Sequence, residues 1–165
     1  MTLMDNALLT QADKLLPIFV PAGEDRFGEF KILGISSVAI KLSSRESKDI
    51  FAVEITLLQK GGPARHLHHD QDEWFYILEG EFILEIGDKR FHAKPGDSLF
   101  GPRKVPHAWA FVAGTRGRFL GTVMPAGNLE AFFVEADKKK ALPGRDQGQW
   151  QPFGMEWVGP PLAIG

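Results

Sequence analysis

Hydrophobic and polar residues alternate with a period of two over most of the chain, in many short runs. Side chains of a β-strand point to opposite faces in turn, so this pattern predicts strands that each bury one face. Glycine (18 residues) and proline (11 residues) interrupt the runs at short intervals, which is typical of an all-β sandwich or barrel. The predicted strands are 37–42, 50–58, 64–68, 73–78, 81–86, 90–94, 98–100, 107–111 and 118–124.

The spacing of the hydrophobic residues changes after this series of predicted strands. Apolar residues then recur at helical spacing and predict a helix over about 128–140, with Asn128 as its N-cap and Gly144 just past its end. The apolar face of this helix consists of Leu129, Phe132, Phe133 and Ala136, whereas Glu130, Glu135 and Lys139 fall on other faces. A second, short helix is predicted within residues 1–16.

The tail, residues 144–165, has no clear period but is rich in glycine, proline and aromatic residues. Its large side chains Trp150, Phe153 and Trp157 favour packing on the barrel or on a partner chain over disorder. They are too many to leave exposed on a monomer, and pairing across a two-fold axis would also cover an open sheet edge. We therefore predict a homodimer.

Composition excludes several classes of function. A chain of 165 residues is one domain by length. Its net charge is −2, without the clustered positive charge that binds nucleic acid, so no nucleic-acid partner is expected. The absence of cysteine excludes disulfides and thiolate ligands. The first residues do not resemble a signal peptide and no run suits a membrane helix, so the expected location is cytoplasmic, without a membrane partner.

Histidines carry the candidate chemistry, because three of the five lie within residues 66–69. His66 and His68 share one face of a predicted strand, Glu73 begins the next apolar run, and His107 follows later. Two imidazoles with a carboxylate and a third imidazole can form a metal site in a β-barrel, although this ligand set does not select one metal. The alternatives are surface imidazoles on an edge strand and, for Glu73, a solvated turn carboxylate. The latter is disfavoured because an inward carboxylate in an apolar strand needs a cation.

Alternate residues of a strand point to opposite faces, and this alternation (strand parity) separates the other histidines and Arg65 from the four candidate ligands. His69 has the opposite parity to His68 and is expected to point outward near the barrel rim. His92 falls in the outward register of its strand. Arg65 also has the wrong parity for the interior, and no other inward cation is apparent. A substrate phosphate or dicarboxylate, which would favour an arginine fork, is therefore not expected.

The spacing of these residues resembles the two sequence motifs of the cupins. The segment GGPARHLHHDQDEWFYILEG, read from Gly61, is similar to the first motif, with its glycine, H-x-H pair, glutamate and closing Gly80. The second motif is similar to the segment from Gly96 through Pro102 to His107. Three departures remove no ligand: the opening glycine is one place late, Lys104 replaces a glycine, and Phe111 replaces a common asparagine.

The resemblance implies a fold and a ligand set. The implied fold is all-β, an antiparallel double-sheet (jelly-roll) barrel of six to eight strands over residues 29–126. An N-terminal extension (1–28) precedes it, and a C-terminal helix and extended tail (127–165) lie outside the barrel and pack on it. The implied metal ligands are His66, His68, Glu73 and His107, and the implied cofactor is one divalent transition metal: iron, manganese, nickel, copper, cobalt or zinc.

The segments around the ligands look most like single-domain quercetin-dioxygenase-like cupins, in which the metal binds substrate oxygens and the glutamate also serves as base. Glu73 is accordingly the candidate catalytic base. Parity predicts a substrate pocket of apolar and aromatic side chains, suited to a small hydrophobic or planar molecule. These side chains are Phe75, Ile77, Phe82, Leu84, Trp109 and Phe111.

Three functions remain open from sequence. The leading hypothesis is a metal-dependent dioxygenase acting on a small aromatic or enolisable compound. The alternatives are a non-catalytic cupin that binds or senses a small molecule, and a metal-dependent isomerase or decarboxylase. A closed metal coordination shell would favour the non-catalytic cupin, since catalytic sites keep an open position. Inward polar groups beside the metal would favour the isomerase or decarboxylase.

Overall fold

The computed structural model describes residues 16–165, so the short helix predicted within residues 1–16 lies almost wholly outside the described residues. The described chain forms nine antiparallel strands and two α-helices, with 3₁₀ turns at Gln147–Gln149 and Gln151–Phe153. The strands are β1 (Lys31–Leu33), β2 (Ser36–Leu42), β3 (Phe51–Leu57), β4 (Ala64–His68), β5 (Asp72–Ile86), β6 (Lys89–Ala93), β7 (Ser98–Gly101), β8 (His107–Met124) and β9 (Met155–Pro161). The helices are α1 (Ser44–Ser47) and α2 (Leu129–Lys139).

Two long strands, β5 and β8, organise the barrel. They pair along their whole lengths, from Asp72 opposite Met124 to Ile86 opposite His107, with register shifts between Ile77 and Phe82 where the ribbon bends. Gly80 lies in this bend with φ +75°, and a Cβ there would come within 2.6 Å of a backbone oxygen, so only glycine fits.

The bend divides the strands between two layers of one curled sheet. One layer contains β1, β2, β3, the second half of β8, the first half of β5, and β7. The other layer contains β9, β4, the first half of β8, the second half of β5, and β6. The predicted all-β antiparallel barrel is confirmed. Segments 73–78 and 81–86, predicted as separate strands, are the two halves of β5, and 107–111 and 118–124 belong to β8.

The tail differs from the prediction that it lies outside the barrel. Strand β9 pairs with β4 and extends the sheet, which gives nine strands instead of six to eight. Trp150 is buried, and Phe153 and Trp157 pack against the core. Of the three aromatic side chains that suggest a homodimer from sequence, Trp150 is therefore fully covered and the other two are partly covered within their own chain. The homodimer stays a prediction without that support.

Helix α2 carries the predicted apolar face, which packs into the hydrophobic core. Glu130, expected on another face, is also buried, because Ser43 and Ser44 donate hydrogen bonds to its carboxylate. Asn128 holds the N-cap position without a side-chain capping bond, and the helix ends at Lys140 in a left-handed conformation, before Gly144. In the described part of the chain, no helix combines the length and apolar character needed to span a membrane.

The barrel interior is filled by aromatic and aliphatic side chains of alternating positions. Phe82 contacts the rings of Trp109, Phe111 and Phe119 at centroid distances of 6.3, 5.6 and 5.4 Å. All six side chains predicted to point inward are buried, namely Phe75, Ile77, Phe82, Leu84, Trp109 and Phe111. The period-two pattern therefore assigned the inward faces of β5 and β8 correctly.

Candidate metal centre

The four predicted metal ligands come together from both layers of the barrel. His66 and His68 lie on β4, and His107 begins β8, directly opposite His66 in the sheet. Glu73 lies on the first half of β5, in the other layer. One ligand atom from each residue lies within 4.8 Å of each of the others, and all three rings are at least nine-tenths buried.

Hydrogen bonds outside the cluster orient all three imidazoles in the same way. Each Nδ1 lies next to an oxygen that can only accept, so each Nδ1 carries the hydrogen and donates it. In the neutral form of each ring, the opposite nitrogen, Nε2, then has a lone pair, which is the state needed to bind a metal. The acceptors are Ala64 O for His66 (2.8 Å), Gln71 Oε1 for His68 (3.1 Å) and Val105 O for His107 (3.4 Å).

Gln71 is a functional residue that the sequence pattern did not reveal. Its side chain is buried; its oxygen accepts from His68, and its nitrogen donates to the backbone oxygens of Pro125 and Ala126. Gln71 lies in the turn between β4 and β5, where no strand period applies. Only its position three residues after a candidate ligand could have drawn attention to it.

Burial and mutual contact set the charges in the cluster. Burial, with smaller effects from His107 and His68, lowers the pKa of His66 to about 3, so this ring is neutral near pH 7. Burial alone would raise the pKa of Glu73, but contacts with His107 and His68 hold it well below its usual range. Burial likewise opposes the charged form of His68, yet the neighbouring Glu73 outweighs it and raises the pKa of that ring.

The residues fit a bound cation. Nε2 of His68 is buried without a hydrogen bond in the described structure, although it lies 3.2 Å from Glu73 Oε2, and Nε2 of His107 lies 3.0 Å from the same oxygen. Ligands on opposite sides of one transition metal are about 4.2 Å apart, so a cluster within 4.8 Å needs only a small contraction. Three nitrogens and one carboxylate form a cluster able to bind a metal, with one or two positions left on a five- or six-coordinate ion.

A small cavity adjoins three of these residues, His66, His68 and Glu73. Its volume is about 60 Å³, measured as the space open to the centres of water molecules. One water needs about 10–15 Å³ by this measure, so the cavity has room for several waters or a small ligand. Its walls come from β2, β3, α2 and the tail and include Val38, Ile55, Phe132, Phe133, Trp150 and Met155.

The cavity only partly coincides with the predicted substrate pocket. Trp109 lines it, whereas Phe75, Ile77, Phe82, Leu84 and Phe111 belong to the packed core. Parity places a side chain inside the barrel but does not tell how deep it lies. The contribution of α2 and the tail was not apparent from sequence; Trp150, for example, stacks on the His66 ring at 5.2 Å. Whether the core residues contact a substrate stays a prediction.

The residues that parity places outside the cluster lie where it predicted. The side chain of His69 is 45% exposed and lies 3.4 Å from Glu156. His92 is 64% exposed and approaches Glu81. Arg65 forms an ion pair with Glu85. The residues that line the cavity in the described part of the chain include no lysine or arginine.

The fold and this cluster define a class of protein, an antiparallel β-barrel with an internal three-histidine, one-glutamate centre. Residues 53–123 match the family model of the cupin domain, and all four residues of the cluster lie within that range. This segment of the chain is therefore similar to a cupin domain, as the spacing of its motifs indicates.

Individual relatives support the domain without specifying an activity. An uncharacterised protein of Methanocaldococcus jannaschii is 38% identical over 42 residues, which are 26% of this chain and only 34% of that protein. The solved structure of KdgF from Halomonas sp. is similar with a TM-score of 0.56 at 17% identity, over 66% of this chain and 93% of that one. A predicted oxalate decarboxylase from Thermotoga maritima has a TM-score of 0.50 at 24% identity, over 55% and 80% of the two chains. At these levels of identity, both structural similarities concern the fold alone.

Proposed function

We propose that this protein is a metal-dependent oxygenase acting on a small, enolisable compound that binds as a monoanion. The observation that carries the proposal is the three-histidine, one-glutamate cluster beside a small apolar cavity. A divalent transition metal held by His66, His68, Glu73 and His107 would bind substrate oxygens and favour the electron-rich enolate that reacts with dioxygen.

Charge balance supports a monoanionic substrate. Three neutral imidazoles and one carboxylate contribute −1, so a divalent cation brings the centre to +1. A monoanion would neutralise it, whereas a dianion would leave a buried negative charge, which is unfavourable. The cavity lining in the described residues offers no cation to compensate such a charge.

Glu73 is suited to accept the substrate proton. Contact with His68 and His107 keeps its carboxylate ionised, while burial acts in the opposite direction on its pKa. If Glu73 turns away from the two rings, burial dominates and the pKa rises, so the carboxylate becomes a stronger base as it moves. This dependence of the Glu73 pKa on the position of its side chain supports a role for Glu73 as a base as well as a member of the cluster.

The apolar walls favour an oxygenase over an isomerase or decarboxylase. Apart from the ligands themselves and the indoles of Trp109 and Trp150, Ser36 is the one residue with a polar side chain that lines the cavity in the described part of the chain. Dioxygen is apolar and enters such a space readily, and packed aromatic walls exclude the water that would compete for a reactive enolate. An isomerase or decarboxylase would favour further polar groups beside the metal.

Oxygen uptake by metal-loaded protein tests the proposal. With a small β-diketone such as 2,4-pentanedione, we expect uptake with at least one of the six metals, and slower uptake with quercetin, which exceeds the cavity. Replacing Glu73→Gln removes the base and should slow the reaction by about two orders of magnitude. Glu81→Gln, at a half-buried glutamate on the same strand that lies outside the cluster, is the matched control.

Two outcomes contradict parts of this proposal. No oxygen uptake with any metal and any small enolisable compound would favour the non-catalytic binding or sensor function. Equal rates for wild type and Glu73→Gln would show that the glutamate is at most a metal ligand.

A further inference from the structure

Ser36 places a lone hydroxyl in the wall of the cavity. The residue is only 4% exposed, and its Oγ is buried without a hydrogen-bond partner in the described structure. An unpaired hydroxyl in apolar surroundings is unfavourable, and an alanine would avoid the loss at nearly the same size. No protein group in the described structure therefore explains the hydroxyl.

Strand geometry directs this side chain inward. Ser36 begins β2 and shares a face with Val38, which is fully buried and lines the same cavity. Its neighbours across the sheet are the buried Leu33 on β1 and Leu57 on β3. Ser37, with the opposite parity, lines a groove on the outer face of the sheet. The side chain of Ser36 thus points toward the cavity, whereas the side chain of Ser37 points to the outer face of the sheet.

We propose that Ser36 determines specificity by hydrogen-bonding a polar group at the end of the substrate that points away from the metal. This inference rests on the proposed function and narrows its substrate class to small monoanionic oxygen chelators that carry a second polar group. A hydroxyl both donates and accepts, so it serves an amide, a carbonyl or another hydroxyl. A cavity of about 60 Å³ restricts such a ligand to a small molecule.

Oxamate and pyruvate form a suitable pair of probes. Both are monoanions of nearly the same shape that can chelate a metal through a carboxylate oxygen and a carbonyl oxygen. They differ at the other end, where oxamate has an amide nitrogen and pyruvate a methyl group. The affinity of the cobalt-loaded protein for each can be measured from the visible absorption of the metal.

The measured quantity is the preference for oxamate over pyruvate, compared between wild type and variants. Replacing Ser36→Ala should reduce this preference by about three- to tenfold, as expected for one hydrogen bond, and leave pyruvate affinity unchanged. Ser37→Ala should keep the wild-type preference. In metal-free protein, Ser36→Ala should also leave the melting temperature unchanged or raise it by about 2–4 °C.

The possible failures are distinguishable. If both anions bind and Ser36→Ala keeps the wild-type preference, the role of Ser36 is wrong while the proposed function stands. A clear fall in the melting temperature of metal-free Ser36→Ala would show that the hydroxyl has a structural partner, and would also overturn the role. If neither anion changes the cobalt spectrum, this inference fails, and the oxygen-uptake experiment decides whether the proposed function fails with it.

Discussion

At the scale of single residues, the chemistry of the centre depends on what lies behind each imidazole. Nδ1 of His68 donates to Gln71, which is itself fixed by the backbone oxygens that follow β8. His66 and His107 instead donate to backbone oxygens two residues before them. His68 is therefore the one ligand ring of the cluster that is oriented by a side chain, and its orientation can be changed by mutation without touching a ligand.

Replacing Gln71→Ala should weaken metal binding by about 10- to 100-fold, the usual effect of losing a group that orients a ligand. The physical reason is that the ring of His68 would lose the acceptor that fixes both its tautomer and its direction. Competition with a chelator of known affinity measures the change. The exposed Gln151→Ala is the control, and equal affinities for the two variants would show that Gln71 does not position the ring.

The sequence indicated the four residues of the cluster because their positions follow from strand parity and motif spacing. His66 and His68 alternate on one strand, and His69 was separated from them by parity alone. Gln71 and Ser36 could not be found in this way. One lies in a turn without a period, and the other is one of two adjacent serines that differ only in the face they occupy. Their proposed roles depend on how distant segments of the chain come together in the fold.

At the scale of secondary-structure elements, the buried carboxylate of Glu130 joins α2 to the segment before β3. It accepts hydrogen bonds from the Ser43 hydroxyl at 2.9 Å and from the backbone N–H of Ser44 at 2.9 Å. Helical periodicity predicted α2 and its apolar face but placed Glu130 on another face. A polar residue that is buried through partners 86 positions away has no signature in the local pattern.

Replacing Glu130→Ala should lower the free energy of unfolding by about 2–4 kcal/mol, because several hydrogen bonds to a charged group are lost and Ser43 is left unpaired. Urea denaturation measures this change. Glu135→Ala, on the exposed side of the same helix, should change the free energy by less than about 0.5 kcal/mol. Similar small changes for both variants would mean that the carboxylate does not stabilise the attachment of the helix.

At the scale of the whole molecule, the centre joins the two layers of the barrel. The histidines come from the layer of β4 and the first half of β8, and Glu73 comes from the other layer. The sequence predicted this antiparallel barrel, since its alternating runs and punctuation are local signals. It did not predict that β5 and β8 each continue through a bend at the middle of the strand. It also did not predict that the tail forms strand β9 and pairs with β4. Both depend on pairing between distant segments.

A metal that binds only the folded protein should therefore stabilise it. At a free metal concentration of about 100 times the dissociation constant, the expected gain is about 2.7 kcal/mol. For a chain of this length, that corresponds to a rise in melting temperature of about 5–10 °C. Calorimetry with metal and with excess chelator measures the difference, and an unchanged melting temperature with every divalent transition metal would contradict it.

The central claim is that His66, His68, Glu73 and His107 bind one metal ion, and metal content measures it most directly. Wild-type protein, His68→Ala and His69→Ala would be loaded under identical conditions and analysed by inductively coupled plasma mass spectrometry. We predict close to one metal per chain for wild type and His69→Ala, and loss of most of the metal in His68→Ala. Full metal occupancy in His68→Ala, or equal loss in both variants, would contradict the assignment.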